Sequence, residues 1–171
     1  MNHPLHSRPW NLPDIVGIAA RAILAATFIG MGISKALDPV DFLKLIRQYD
    51  TIAQPWLLNL AAGALPWFEI FCGILLLIGV AGRGAAVVLL AMLAGFTAMI
   101  AWRGAAIADM QGIPFCQVRF DCGCGAGIIN VCRKLIENGG LILAALWLAG
   151  SSRSRWALRW SWSKEPASLE G

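Results

Sequence analysis

The chain has 171 residues, of which 58% are hydrophobic and 14% are charged, and its mean hydropathy is +0.65. Because a soluble domain carries about 25% charged residues, this composition excludes an ordinary soluble protein, and the length allows a single domain. The formal net charge of +4 comes from Lys and Arg beside apolar stretches, so we expect a lipid-bilayer protein with no nucleic-acid partner.

The first apolar stretch, residues 15–37, is interrupted only by Arg21 and Lys35 and is long enough to span a bilayer. It is also too long for the apolar core of a cleavable signal peptide. Ala22, Ala26 and Gly30 recur every four residues, which predicts a close approach of a neighbouring helix at this row.

The segment after the first span is amphipathic. Between Asp38 and Asp50, the apolar residues Val40, Leu43 and Ile46 recur at roughly helical spacing. This pattern predicts a short helix that lies in the membrane interface.

Two further apolar stretches, 57–80 and 85–102, are predicted to span the membrane. Trp10, Trp56 and Trp102 stand at predicted span ends, where aromatic rings prefer to lie.

A fourth span is predicted over 128–150, because its uncharged part alone is too short to cross. Arg133 and Lys134 then lie in its outer turns, where they can reach the headgroups, and Arg133 can meet Glu137 one turn on.

The sequence therefore predicts an all-α integral membrane protein, a four-transmembrane-helix bundle over 15–150 with a short interfacial helix after the first span. The segments outside it are an N-terminal tail, 1–14, a cysteine loop, 103–127, and a basic, Trp-rich tail, 151–171. Because basic residues follow the last span directly, we expect both tails in the cytoplasm and the loop on the extracytoplasmic face of the inner membrane.

Four of the five cysteines, Cys116, Cys122, Cys124 and Cys132, fall within one segment between the third and fourth spans. Gly123 separates Cys122 from Cys124 and lets the chain fold back so that the two sulfurs approach. A disulfide closed across one residue is expected to be reduced easily.

Several interpretations of these cysteines stay open, since four cysteines allow three full pairings. The spacing of the cysteines lacks the paired Cys-x2-Cys motifs of structural zinc sites, so we expect no bound metal. They are either structural disulfides or a thiol-disulfide exchange site, with Cys122 and Cys124 as the exchanging pair and Cys116 and Cys132 as resolving thiols or a structural bridge. Arg119 and Arg133 would favour a thiolate, whereas Asp121 would oppose it.

Glu69 is the ionisable residue near the middle of the second span, and such a group usually faces the bundle interior with a partner. It is either a buried polar lock to Arg21, Ser34 or another helix, or a proton acceptor or quinone contact. Arg21 is expected to snorkel or to pair with Glu69, and Cys72, one turn after Glu69, to be an inert core residue.

Three sequence segments together resemble the MauE branch of the DoxX-like membrane proteins. They are 30–39 (GMGISKALDP), 66–73 (PWFEIFCG) and 122–125 (CGCG), and the resemblance covers roughly 16–150. It implies a four-helix membrane protein associated with redox chemistry outside the cytoplasm, which in methylamine utilisation works with a thioredoxin-like partner to mature the disulfide-rich small subunit of methylamine dehydrogenase.

The first functional hypothesis is therefore a membrane thiol-disulfide oxidoreductase that acts with a thioredoxin-like protein on a secreted, disulfide-containing client. The second is a non-catalytic membrane scaffold whose cysteines are structural. The third is a quinone-linked oxidoreductase subunit like other DoxX relatives, in which Glu69 and Arg21 carry the function.

Overall fold

A computed structural model of the protein describes residues 12–49, 54–79, 82–125 and 127–150. The predicted tail 151–171, most of the tail 1–14 and Trp10 lie outside these residues. The described elements are five α-helices, one 3₁₀ turn and two short strands, in the order α1 Leu12–Leu37, α2 Pro39–Gln48, α3 Pro55–Ile78, α4 Gly82–Gln111, η1 Phe115–Gln117, β1 Arg119–Asp121, β2 Ile128–Asn130 and α5 Val131–Gly150.

Three of these helices have the length and composition to cross a membrane. The apolar segments are Asp14–Leu37, Pro55–Ile78 and Arg83–Gln111. Large apolar side chains point outward from α1, α3, α4 and α5, as a lipid-facing surface requires; examples are Ile23, Leu60, Phe71, Val87 and Leu143. The predicted membrane protein is thus confirmed, while the fourth span stays a prediction.

α2 forms where the amphipathic pattern predicted a helix. Its first turn is capped by the Asp38 side chain, which accepts a hydrogen bond from the Asp41 amide at 3.0 Å. Phe42 is buried, whereas Val40 is exposed. The placement of α2 in a membrane interface stays a prediction.

α4 is longer than the apolar stretch that predicted it. The helix continues nine residues beyond Trp102 to Gln111, because residues 105–108 (AAIA) keep a helical propensity after the run of apolar residues has been interrupted by Arg103. Trp102 therefore lies inside a helix, and the loop with the cysteines begins at Gly112, which has a φ of +63°.

α1 packs against α3 along a line of close backbone approach. A Cβ atom on Gly32 would lie 2.7 Å from the Pro66 carbonyl oxygen, and one on Gly73 would lie 2.7 Å from Ile29 and 3.2 Å from the Ala25 carbonyl oxygen. Small residues thus bring the two helices together, as is common in membranes.

The close approach of a neighbouring helix that was predicted at the row of small residues is wrong for the described bundle. Ala22, Ala26 and Gly30 are exposed, and a Cβ atom on Gly30 would meet nothing within 4 Å. The spacing of four residues picked out a stripe along α1, but this stripe lies on the outward face. The face of α1 that packs in the core carries Leu24, Ala25 and Phe28.

The interior has two apolar clusters. One is built from α1, α3, α4 and α5 around Leu24, Phe28, Leu76 and Leu89. The other lies under the cysteine segment, where Ile100 and Val118 pack with Val131 and the cysteines. The second cluster positions the cysteines against the ends of the helices.

The close approach at Gly32 can be tested by substitution with alanine. Gly32→Ala should lower the free energy of unfolding by about 1–3 kcal/mol, because its methyl group would press on backbone that cannot retreat. Gly30→Ala is the matched control and should be neutral or slightly stabilising, since Ala favours a helix over Gly. Thermal exposure of the buried Cys72 thiol to a fluorogenic maleimide reports unfolding; equal melting temperatures would contradict this packing.

Candidate functional site

The cysteine segment folds into a β-hairpin that connects α4 to α5. β1 and β2 pair antiparallel, with Arg119 opposite Asn130 and Asp121 opposite Ile128. Cys122 and Cys124 lie in the turn between the strands, where Gly123 and Gly125 have φ angles of +70° and +77°. Only glycine adopts such angles without strain, so the glycines that alternate with the cysteines make this turn.

The four cysteines form two disulfides of different kinds. Cys116 pairs with Cys132 across 16 residues, with 5.0 Å between Cα atoms, and Cys122 pairs with Cys124 across two, with 5.3 Å between Cα atoms. The sequence left three full pairings of the four cysteines open, and the structure has Cys116–Cys132 with Cys122–Cys124. Cys72, the fifth cysteine, is free and buried.

The Cys116–Cys132 disulfide joins the base of the hairpin to α5. The same junction is held by two hydrogen bonds from β2 and α5: the Asn130 side chain donates to the Cys116 carbonyl oxygen at 2.7 Å, and the Val131 amide donates to the Val118 carbonyl oxygen at 3.2 Å. Asn130 also caps α5, since its side-chain oxygen accepts from the Arg133 amide at 3.1 Å. This bridge therefore has a structural setting.

The Cys122–Cys124 disulfide is covered by α2. Cys122 and Cys124 are only 7% and 6% exposed, and a Cβ atom on Gly123 would lie 3.4 Å from Leu45. The Tyr49 hydroxyl, just after α2, donates to the Cys122 carbonyl oxygen at 2.9 Å. A partner protein can reach these sulfurs only if α2 or the hairpin moves.

Polar contacts inside the turn are local. The Asp121 carboxylate accepts from the Gly123 amide at 2.9 Å, and the Cys124 amide lies 3.2 Å from the Cys122 sulfur. Asp121 therefore shapes the turn, in addition to placing a negative charge near the pair.

The two arginines expected beside the cysteines face another part of the surface. Arg119 and Arg133 line a groove of about 410 Å³ at the base of the hairpin. Arg133 forms an ion pair with Glu137 at 2.9 Å, which confirms the contact that the sequence predicted. Both residues stand at the base of the hairpin, away from its turn.

The buried cation near the disulfide is Lys35, which sequence reasoning treated only as an interruption of the first span. Its ammonium group lies 2.6 Å from Oε1 of Glu69, and the two side chains are 2% and 0% exposed. The ammonium also lies 4.6 Å from the centroid of the Phe96 ring and 5.2 Å from that of Phe42. Oε2 of Glu69 is buried without a hydrogen-bond partner among the described residues.

Of the two alternatives for Arg21, snorkelling or pairing with Glu69, the pairing is wrong. The Arg21 guanidinium donates from Nε and Nη2 to the Leu76 carbonyl oxygen, at 3.2 and 2.9 Å. This carbonyl lies in the last turn of α3, where carbonyl groups lack intrahelical partners and favour a cation. Arg21 and Leu76 are near one end of the bundle, and Glu69 is held by Lys35 instead.

The space beside the disulfide is small. A cavity of about 20 Å³ is lined by Phe42, Ile46, Tyr49, Phe96, Met99, Cys122 and Gly123, which is room for about one water molecule. A quinone head group does not fit there in this arrangement. Among the described residues, no three His, Cys, Asp or Glu side chains are grouped as metal ligands.

Comparison with known proteins identifies one family. The family model described as methylamine utilisation protein MauE matches residues 13–151, which confirms the resemblance seen in the sequence. No curated protein and no solved structure matches the chain.

Tyr49 provides a spectroscopic test of the cover over the disulfide. Burial, and then the negative charge of Asp121, raise the pKa of Tyr49 to about 12, and Arg103 opposes them. Tyr49 is the chain's single tyrosine, so tyrosinate absorbance after a rapid pH jump should give a midpoint near 12 for the folded protein and about 10 after denaturation. A midpoint of about 10 in the folded protein would contradict the buried contact.

The same shift makes stability depend on pH. Because the folded state holds the phenolic proton more tightly, this contribution is complete below about pH 10 and is lost as the pH rises to about 12. The stability advantage of the wild type over Tyr49→Phe should therefore shrink across this window. Denaturant titrations of both proteins at several pH values measure it; a constant difference would contradict the assignment.

The buried ion pair predicts strong coupling between two substitutions. Lys35→Met alone leaves a buried unpaired carboxyl group, which should cost about 3–5 kcal/mol of unfolding free energy. Lys35→Met combined with Glu69→Gln removes both charges and should cost much less. Unfolding of the single and double variants in detergent measures the coupling, and a double variant no more stable than Lys35→Met would refute it.

Proposed function

Because the chain belongs to the methylamine utilisation protein MauE family, we propose that this membrane protein exchanges disulfides with a thioredoxin-like protein and so helps to mature a secreted, disulfide-containing client. Membership of this family and the apolar helices indicate a multi-pass membrane protein linked to methylamine utilisation.

The observation that carries it is the contrast between the two disulfides. Cys116–Cys132 joins separate elements and is supported by hydrogen bonds from Asn130, as a structural bridge would be. Cys122–Cys124 closes only across Gly123, in a turn, and holds no two elements together. Its small loop adds little to stability, which favours a chemical role.

The proposal includes four spans with the hairpin on the extracytoplasmic face. α5 has 20 residues, which rise about 30 Å, the thickness of a bilayer core. With four spans both termini share one side, and the basic segment 151–171 favours the cytoplasm for it. An oxidising compartment then surrounds the cysteines. A reporter active only in the cytoplasm, fused to the C-terminus, tests this orientation, and an inactive reporter would reverse it.

In the exchange, Cys122 and Cys124 take the partner's electrons, and α2 must give way first. The cover by Leu45 and Tyr49 keeps solvent and unrelated thiols from the sulfurs. A partner that binds here supplies the free energy that moves it. This arrangement gives selectivity for a protein partner over small thiols.

A second candidate, a scaffold with structural disulfides, is favoured by the burial of Cys122 and Cys124. The two candidates differ in the cellular redox state of this pair. Under the exchange hypothesis, acid quenching of the cells, denaturation and alkylation, followed by reduction and a second label, finds Cys122 and Cys124 in both states. Under the scaffold hypothesis both stay oxidised.

Trapping decides whether the pair turns over. A partner whose second cysteine is replaced by serine should accumulate as a reducible adduct on the wild-type pair, because the sulfur that releases Cys124 is then missing. Cys122→Ser or Cys124→Ser leaves no disulfide for this partner to attack and should abolish the adduct. The double variant should form no adduct and should lose client oxidation. Cys72→Ala is the control and should behave as wild type, because Cys72 is buried away from the hairpin.

Unchanged client oxidation in the Cys122→Ser, Cys124→Ser double variant would refute the exchange. Replacing Cys116 and Cys132 by serine should act differently, lowering the unfolding free energy by about 3 kcal/mol, since this disulfide closes a loop of 16 residues.

A further inference from the structure

The turn with the cysteines rests on the end of α1 that carries Lys35. A Cβ atom on Gly125 would lie 2.6 Å from Cβ and 3.0 Å from Oγ of Ser34, which is the residue before Lys35. The residue that follows Cys124 therefore touches the last turns of α1.

The Lys35 ammonium and Cys122 share two aromatic neighbours. Phe42 and Phe96 lie within 5.2 and 4.6 Å of the ammonium, measured to the ring centroids. Both rings also line the small cavity whose wall includes Cys122. Charges separated by apolar rings interact more strongly than they would across water, because the local dielectric constant is low.

Lys134, a second cation close to Lys35, is a weaker candidate for stabilising a Cys122 thiolate. Lys35 and its partner Glu69 are almost fully buried, whereas the charge on Lys134 is shared with Glu137 at 3.6 Å. Two titratable groups bond within the turn, Tyr49 after α2 and Asp121 of β1. The other titratable groups around it are Arg103 of α4, whose charge acts on Tyr49, Lys35 of α1 with Glu69 of α3, and Lys134 of α5, whose charge acts on Lys35.

We infer that Lys35 is a positioning residue of the exchange reaction, which stabilises the thiolate of Cys122 when the Cys122–Cys124 disulfide opens, and that Glu69 keeps the buried lysine charged. The inference rests on the proposed function. It also gives the buried ion pair a role beyond packing, since a buried pair by itself contributes little net stability.

In this exchange a partner with two thiols is the reductant. A partner thiolate attacks Cys124 Sγ, the bond between Cys122 and Cys124 breaks, and its electron pair stays on Cys122 Sγ. Cys122 then takes up the proton of the partner's second thiol. The partner's second sulfur, now a thiolate, attacks the partner's first sulfur, closes the partner's disulfide and releases Cys124 as a thiolate. Cys124 then takes a proton from solvent, which replaces the proton that the partner's first thiol had lost to solvent. The partner is oxidised by two electrons and the pair is reduced by two.

The test measures the Cys122 thiol without any partner. In a Cys72→Ala, Cys124→Ser background, Cys122 is the single free thiol while Cys116–Cys132 remains oxidised. The rate of alkylation by iodoacetamide is followed against pH in detergent, and each curve is divided by its high-pH plateau. The midpoint then reports thiolate formation rather than accessibility.

Three variants in this background separate charge from packing. Lys35→Met with Glu69→Gln should move the midpoint to higher pH, with a relative rate at pH 7 lower by about tenfold for each unit. Glu69→Gln alone leaves a buried lysine without its counter-ion, which favours the uncharged amine, and should also move the midpoint to higher pH. Asn138→Leu is the control. It removes a different buried polar contact, the 3.0 Å hydrogen bond from the Asn138 side chain to the Thr97 hydroxyl, and should leave the midpoint unchanged.

An unchanged midpoint in the folded charge-free double variant overturns the inference. If that variant does not fold, Glu69→Gln decides alone, and a midpoint that stays or falls overturns the inference. Failure of the proposed function is recognised separately: the midpoints shift as expected, but no mixed disulfide forms with any partner.

Discussion

The contact between Lys35 and Glu69 is the constraint around which this bundle is arranged. A lysine and a glutamate with side chains 2% and 0% exposed must find each other, because each alone would carry a large desolvation penalty. Their 2.6 Å contact fixes the register of α1 against α3, and Gly32 makes the approach close enough for it to form. The end of α1 is thereby held in one place.

That fixed end supports the rest of the site. α2 folds back from it and places Phe42 against the ammonium, while the hairpin rests on Ser34 through Gly125. The Cys116–Cys132 bridge holds the other side of the hairpin to α5. The turn is thus held between two helices that are themselves positioned by the core, with a Tyr49 hydrogen bond across the top.

Much of this architecture could be predicted from the sequence, and the misses have physical causes. Hydrophobic runs located the membrane-spanning helices because span length depends only on local composition. The partner of Glu69 was missed because ion pairing depends on the rotation and register of the helices. In the sequence, Arg21 and Lys35 are both basic residues of the first span, and nothing there shows which of them faces Glu69. Arg21 instead binds the carbonyl group of Leu76, a main-chain acceptor that leaves no signal in the sequence.

The cysteine segment shows the same division. Glycines between cysteines predicted a turn that brings Cys122 and Cys124 together, since the glycines act locally. Their cover by α2 could not be predicted, because Tyr49 and Cys122 are 73 residues apart and meet only in the folded bundle. This cover changes what the proposed exchange requires: an accessible disulfide would react with any thiol, whereas under the proposed exchange this buried disulfide reacts only after a bound partner has opened its cover. Selectivity then comes from the bundle, and the reactive sulfurs need no recognition surface of their own.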